Sequence, residues 1–400
     1  MNRNGLEQVA GRIATQGLLL ATGPLLARAA GPAGRGEAAL GVALGVLLPP
    51  LVGAGFGSAV RALSTADGPH VAAMRRAGQL RAVIGGAVGL AVAMALYASG
   101  LLDIGTSSRN PLLLMGATVG LSAYVDGYVS LRLIQGRPRQ AVLTRVLPVA
   151  VFATYCLTLF ALGALTAPRY LIGYACLPIL RFAVVSAGSG RRGLGSTEPR
   201  PPWLSTGRWG IPHEISDAGL AQVALLAAGL TLDAAALGLL SVGLTVSRLP
   251  SFVASGVSDG DVEAIAASRS GGTAFALASP LRSLVLTTAL AAGLTAAIGW
   301  LTVPIVFGEE FRDSRAILLI LLVTAPFAGS LNYISSYLVA SGRTAQSARL
   351  QLITFALAGL LAGGGAAAFE GPTSAAWGLS IAVGVGGLAA AVRVSSSLRS

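Results

Sequence analysis

Twelve separate stretches of about 20 apolar residues run through this chain, and they decide most of what it can fold into. A helix of that length crosses a hydrocarbon layer of ~30 Å, and inside such a layer only helices or closed barrels satisfy the backbone's hydrogen bonds. Counted along the sequence, the spans fall at roughly 12–30, 37–62, 82–102, 111–134, 142–166 and 169–189, then at roughly 212–232, 234–256, 281–304, 313–340, 344–368 and 371–392. With 54% hydrophobic and 11% charged residues in 400, and a mean hydropathy of +0.73, the chain has more apolar surface than one soluble core can hide. The expectation is an all-α polytopic membrane protein with twelve transmembrane helices in two six-helix lobes. Residues 1–190 form the first lobe and 212–400 the second; the polar stretch 191–211, with Pro199, Pro201 and Pro202, forms a cytoplasmic linker.

The 28 basic residues are all arginine. Without lysine no Walker-type phosphate loop is possible. A pI near 10.9 would suggest nucleic acid in a soluble protein, but here the arginines are distributed by topology. When loops are numbered alternately, all but Arg28, Arg35, Arg109, Arg169, Arg312 and Arg315 fall on the side that holds both termini. By the positive-inside rule that side is cytoplasmic. The first span imitates a secretory signal, with Arg3, Arg12 and Ala27-Arg28-Ala29; Gly23-Pro24 and eleven further spans argue against cleavage. Cys156 and Cys176 lie within spans, so no structural disulfide is expected.

The halves share a pattern. Tyr124 and Tyr128, and again Tyr333 and Tyr337, end an apolar stretch that runs into Gly136-Arg137 or Gly342-Arg343, with Gln140 or Gln346 three residues beyond the arginine. Ala38-Ala-Leu-Gly41 is echoed by Ala235-Ala-Leu-Gly238. Six spans per half give both copies the same orientation, as in transporters built from parallel repeats. Gly85-x3-Gly89 and Gly116-x3-Gly120 suit close helix packing, and Pro24, Pro49-Pro50, Pro148, Pro178, Pro250 and Pro326 can bend their spans.

Ionisable residues within spans are the default functional candidates, because they are costly unless they face a cavity or a partner. Arg145, Arg181 and Asp126 all fall in the inner third of the first lobe by helical rise. Either the arginines bind an anionic group, with Asp126 orienting one of them or taking up a coupling proton, or Asp126 forms an ion pair that holds the lobe together. Arg61 and Arg349 belong to a ring of arginines at the inner mouth, each a topology determinant alone and together an electrostatic focus for an anion. Each tyrosine pair shares a helix face, which either lines a cavity suited to saccharide or packs. Gly188-Ser-Gly190-Arg-Arg-Gly193 follows a span, without the strand that gives a dinucleotide fingerprint its meaning. With only His70 and His213, no metal centre, cofactor or Ser/His/Asp site is expected.

Leu26-Ala-Arg28-Ala-Ala-Gly31-Pro32-Ala-Gly34-Arg-Gly36, then Phe307-Gly308-Glu309-Glu310-Phe311, then Leu338-Val-Ala-Ser-Gly342-Arg343-Thr344, resemble in order and spacing the polysaccharide flippases. Those belong to the multidrug/oligosaccharidyl-lipid/polysaccharide exporter superfamily. The resemblance covers essentially the whole chain and implies a MATE-like fold. It implies a transporter in the cytoplasmic membrane that moves a polyprenyl-pyrophosphate-linked oligosaccharide from the inner to the outer leaflet by alternating access. The implied partners are the lipid-linked saccharide, the bilayer, and a polysaccharide polymerase with glycosyltransferases; nucleic acid is not among them. It draws attention to Arg28, otherwise a snorkelling interfacial residue, and to Asp233, otherwise a helix cap. A cation-coupled drug or small-metabolite exporter of the same superfamily is the alternative. A membrane glycosyltransferase or polymerase would need catalytic carboxylates, whereas the outer acids here are scattered over short turns, so no enzyme activity is expected.

Overall fold

The fold is seen in a computed structural model, which describes residues 3–53, 71–100, 109–134, 137–188, 211–252, 278–340, 343–369 and 371–397. All regular structure among the described residues is helical. The elements are α1 (Arg3–Val52), α2 (Val71–Ser99), α3 (Arg109–Ile134), α4 (Pro138–Ala161), α5 (Ala167–Gly188), α6 (Ile211–Ala228), α7 (Ala234–Ser247), α8 (Ala278–Phe307), α9 (Ser314–Val323), α10 (Ala325–Ala340), α11 (Thr344–Phe369) and α12 (Pro372–Ser397). A short 3-10 turn, Glu309–Phe311, precedes α9.

Two elements depart from one helix per span. α1 is two helices joined at Gly31, whose φ of 65° and ψ of −171° interrupt the helical run; glycine adopts that backbone without a Cβ penalty. The six-residue loop expected between the first two spans is therefore a single-residue break. The tenth span, expected as one helix, is bent by 48° between α9 and α10. Pro326 has no amide to give the Leu322 carbonyl, and the Thr324 amide closes onto Leu321 and Leu322 instead. With α1 counted as two and α9/α10 as one, the described helices account for the twelve expected spans. Among the described residues nine helices qualify outright by length and apolarity, α1 counting once among them. Their surfaces are inverted relative to a soluble protein: Leu290, Leu360 and Phe369 are exposed, while Thr288, Ser335 and Ser347 are fully buried.

By internal contacts the chain divides into two units, residues 1–30 with 40–215, and residues 31–39 with 216–400. The sequence division put 31–39 with the first lobe. The structure groups this segment with the second because of glycine: a Cβ on Gly36 would overlap the Ala234 carbonyl, and one on Gly238 would overlap the Pro32 carbonyl. In unit one the same device joins α2 to α3, where a Cβ on Gly116 would lie 2.6 Å from the Gly89 carbonyl. Small residues allow such approach and van der Waals packing supplies the attraction. In unit two, Ser314 Oγ donates to the Leu239 carbonyl at 2.9 Å and Ser380 Oγ to the Ile320 carbonyl at 3.1 Å, pinning α9 to its neighbours.

Candidate functional site

The charged residues of unit one lie at matching depth. Counting from the helix ends facing the α3/α4 turn, Arg145, Arg181 and Asp126 are each about 10–12 Å inside at 1.5 Å per residue. Their environments differ. Arg181 is half-buried in α5, three residues beyond Pro178, and its Nε is buried with no hydrogen-bond partner. Arg145 is half-buried and Asp126 exposed, and neither is without a partner. Of the three, Arg181 alone has a buried guanidinium nitrogen left unsatisfied, a costly state that Arg35 and Arg315 share.

The tyrosines have another place. Tyr124 is 5% exposed and packs with Val125, Val129, Ala141 and Val185, its ring 5.6 Å from that of Phe182. Tyr333 is 1% exposed among Leu284, Ile334, Leu338 and Leu350. Tyr128 and Tyr337 are partly buried against the same two clusters. The Arg132 guanidinium stacks over the Tyr128 ring at 4.7 Å, and its Nε donates to the hydroxyl at 2.7 Å. Tyr124 and Tyr333 fill helix interfaces, with Tyr128 and Tyr337 at their margins. What the repeat does share is its turn. The Arg137 amide donates to the Arg132 carbonyl at 2.9 Å and the Arg343 amide to the Leu338 carbonyl at 2.7 Å, the same five-residue closure in each unit.

Arg28 is exposed and has a partner, whereas Arg35, seven residues on, is only 8% exposed. Arg35 Nη2 donates to Thr245 Oγ1 at 3.2 Å while its Nε is unsatisfied. Sequence reasoning passed over Arg35 because it placed the residue in a loop. Asp233 caps α7, its carboxylate accepting the Ala236 amide at 2.7 Å. Arg349 is exposed on α11, and Arg61 lies outside the described residues. No group of three or more metal-ligating side chains occurs among the described residues.

Unit two holds a cavity of about 110 Å³ at the break between α9 and α10. Its walls come from α6, α7, α9, α10, α11 and α12, with Thr324 and Ala325 at the break itself. Most of the wall is apolar, but Arg248, Asn332 and Gln351 reach it. Gln351 is 2% exposed; its Nε2 donates to Ser335 Oγ, and its Oε1 has no partner. Amides buried in mid-span are the signal that would have found this place, and a search restricted to charged groups misses them. Gln351 is two residues beyond Arg349, about 200° around the helix, so the charge marks the outer face and the amide the inner one.

No protein-family model matches this chain, and no curated protein matches it in sequence. Solved structures do match in fold. An inward-closed lipid II flippase MurJ superposes over 97% of this chain and 87% of its own, with a TM-score of 0.68 at 16% identity. An inward-facing multidrug resistance MATE family transporter of the MOP superfamily matches over 99% of both chains, with a TM-score of 0.67 at 14% identity. The MATE multidrug transporter DinF-BH, solved as a complex, covers 98% of this chain and 94% of its own, with a TM-score of 0.64 at 13% identity. The chain thus has the all-helical, two-lobe fold found in these MOP superfamily transporters.

Proposed function

We propose that this chain is a multi-pass membrane transporter of lipid-linked saccharide, moving a polyprenyl-pyrophosphate-linked oligosaccharide from the inner to the outer leaflet of the cytoplasmic membrane by alternating access. Flipping breaks no bond. The task is to shelter an anionic pyrophosphate and a polar glycan from hydrocarbon while the lipid tail stays outside. The observation that carries the reading is Arg181, a half-buried guanidinium with an unsatisfied Nε in the middle of an apolar helix. Arg145 enters at the same depth and adds positive charge. The excess of arginine on the side of both termini supports cytoplasmic termini and an inner entrance attractive to an anion. The lobes of this reading are 1–190 and 212–400 with a linker between them, and segment 31–39 belongs by contact with the second.

The MATE likeness favours a second reading, a drug or metabolite exporter, because the fold serves both cargoes. The test is reconstitution. Vesicles containing the purified protein should move fluorescent polyprenyl-pyrophosphate-linked disaccharide to the outer leaflet faster than protein-free vesicles, and Arg181→Ala should remove the difference at normal expression. Equal transfer with and without protein would overturn the reading, and cation-driven efflux of rhodamine dye in its place would establish the second.

A further inference from the structure

We propose that the corner where α8 turns into α9 holds a phospholipid with a zwitterionic headgroup, its phosphate on Arg315 and its ammonium toward Asp313; the site stands whichever cargo the protein carries. The Arg315 guanidinium lies 5.3 Å from the centre of the Trp300 ring. Trp300 is seven residues, about 10 Å, before the end of α8. That helix has 30 residues, about 45 Å of rise, which matches a bilayer of about 40–45 Å with its headgroups included. The headgroups take about 5–7 Å of each side, so the pair sits close to the boundary of headgroup and hydrocarbon, where lipid phosphates are nearer than bulk water. The Arg315 Nε is buried without a partner and closed to any ligand, but the two terminal nitrogens are not buried, and nothing among the described residues bonds to them. Attraction to the ring uses the charge of the guanidinium and leaves these N–H groups unspent. Their fork matches a phosphate. Trp300, Leu301, Leu319 and Val323 are exposed on the same two helices and offer acyl chains an apolar surface.

Local charge selects among phospholipids. Glu309, Glu310 and Asp313 set three carboxylates against the guanidiniums of Arg312 and Arg315, a sum of −1, so a headgroup of net negative charge gains nothing from the corner as a whole. A zwitterion instead places each sign on its opposite. Asp313 is exposed immediately before α9, and its carboxylate caps no amide. It is two residues from Arg315, a spacing at which helical side chains do not face each other. Acid and cation therefore stay apart, and one headgroup carrying both signs satisfies both. Glu310 is turned elsewhere, its Oε2 3.3 Å from where a Cβ on Gly31 would lie. A primary ammonium has three N–H donors for a carboxylate and a quaternary one has none, so phosphatidylethanolamine is the class that fits.

The test uses the full chain with Trp203→Phe, Trp209→Phe and Trp377→Phe, which leaves Trp300 as the single tryptophan. The protein is reconstituted in bilayers of phosphatidylethanolamine and phosphatidylglycerol in equal amounts, with dibrominated chains on one lipid or on the other. Quenching of the Trp300 emission then reads which lipid lies beside the ring. Brominated phosphatidylethanolamine should quench more strongly, by the equivalent of a several-fold preference in occupancy. Arg315→Gln should bring the two lipids level, and Asp313→Asn should remove or reverse the preference. Asp313 is exposed, so its variant keeps the test open should Arg315→Gln not fold. Equal quenching by the two lipids with both residues intact, stronger quenching by phosphatidylglycerol there, or a phosphatidylethanolamine preference that survives either substitution would each overturn the site. The readout does not involve transport, so failure here leaves the proposed function standing, and failure of lipid-linked saccharide transfer leaves this site standing.

Discussion

The two units close the same turn and fill the same interface, yet their polar interiors differ. Arg137 and Arg343 each reach back five residues to a helix-end carbonyl, and Tyr124 and Tyr333 sit almost completely buried eight and five residues before that carbonyl. Beyond this shared scaffold, unit one has a guanidinium with an unsatisfied nitrogen, at Arg181, on a helix that runs unbroken past its proline, and unit two has such nitrogens at Arg35 and Arg315. In unit two the span that bears Pro326 is broken instead, and a cavity opens at the break. A repeated framework keeps its packing geometry because close-packed interfaces tolerate little change. Polar groups are not held to that symmetry.

The framework is where the comparison breaks most visibly. Tyr124→Ala and Tyr333→Ala should each cost about 3–5 kcal/mol, read as similar falls in the thermal midpoint of detergent-purified protein; a large loss in one unit only would end the structural equivalence. Gly120→Leu and Gly378→Leu come next. A Cβ there would overlap the backbone of Ala82 and Leu361 respectively, so each should lose about 3 kcal/mol, the upper end of ordinary overpacking. Gly17→Ala and Gly293→Ala, with nothing near the added carbon, should leave the midpoint level or raised.

Arg181→Ala sharpens the functional side. Transfer should fall about 10- to 100-fold, the worth of a hydrogen bond to a charged group, while the melting temperature holds or rises because a poorly satisfied buried cation is gone. Arg132→Ala, by contrast, removes a stacked and bonded partner of Tyr128, costing about 0.5–1 kcal/mol of stability with transfer near that of the native chain. The smallest effect is Asp233→Ala, which should cost about 1 kcal/mol as the loss of a helix cap. Transport should be untouched, and a strong transport defect would give Asp233 a role beyond capping.

Hydropathy and arginine placement made the spans readable because the bilayer imposes one length and one solubility rule on every helix. The facing glycines of α2 and α3 were legible for the same reason, since small residues four apart make a surface that another backbone can approach. The site was read less well. Arg28 and Arg349 drew attention as charges and prove exposed, whereas Arg35 and Gln351 are buried. Which way a residue faces on a uniformly apolar helix leaves almost no periodic trace, because lipid and protein interior both accept leucine.

The amino-acid sequence by itself determined the number and length of the helices and the doubled pattern of the halves. Both follow from local chemistry, the apolar length of each span and the residues repeated between the halves. Tertiary structure alone decided that residues 31–39 pack as part of the second unit, that Tyr124 and Tyr333 are buried, and that the Gln351 oxygen is buried without a partner. Those outcomes depend on which neighbour each side chain meets, and contacts between residues far apart in sequence are set only when the helices pack.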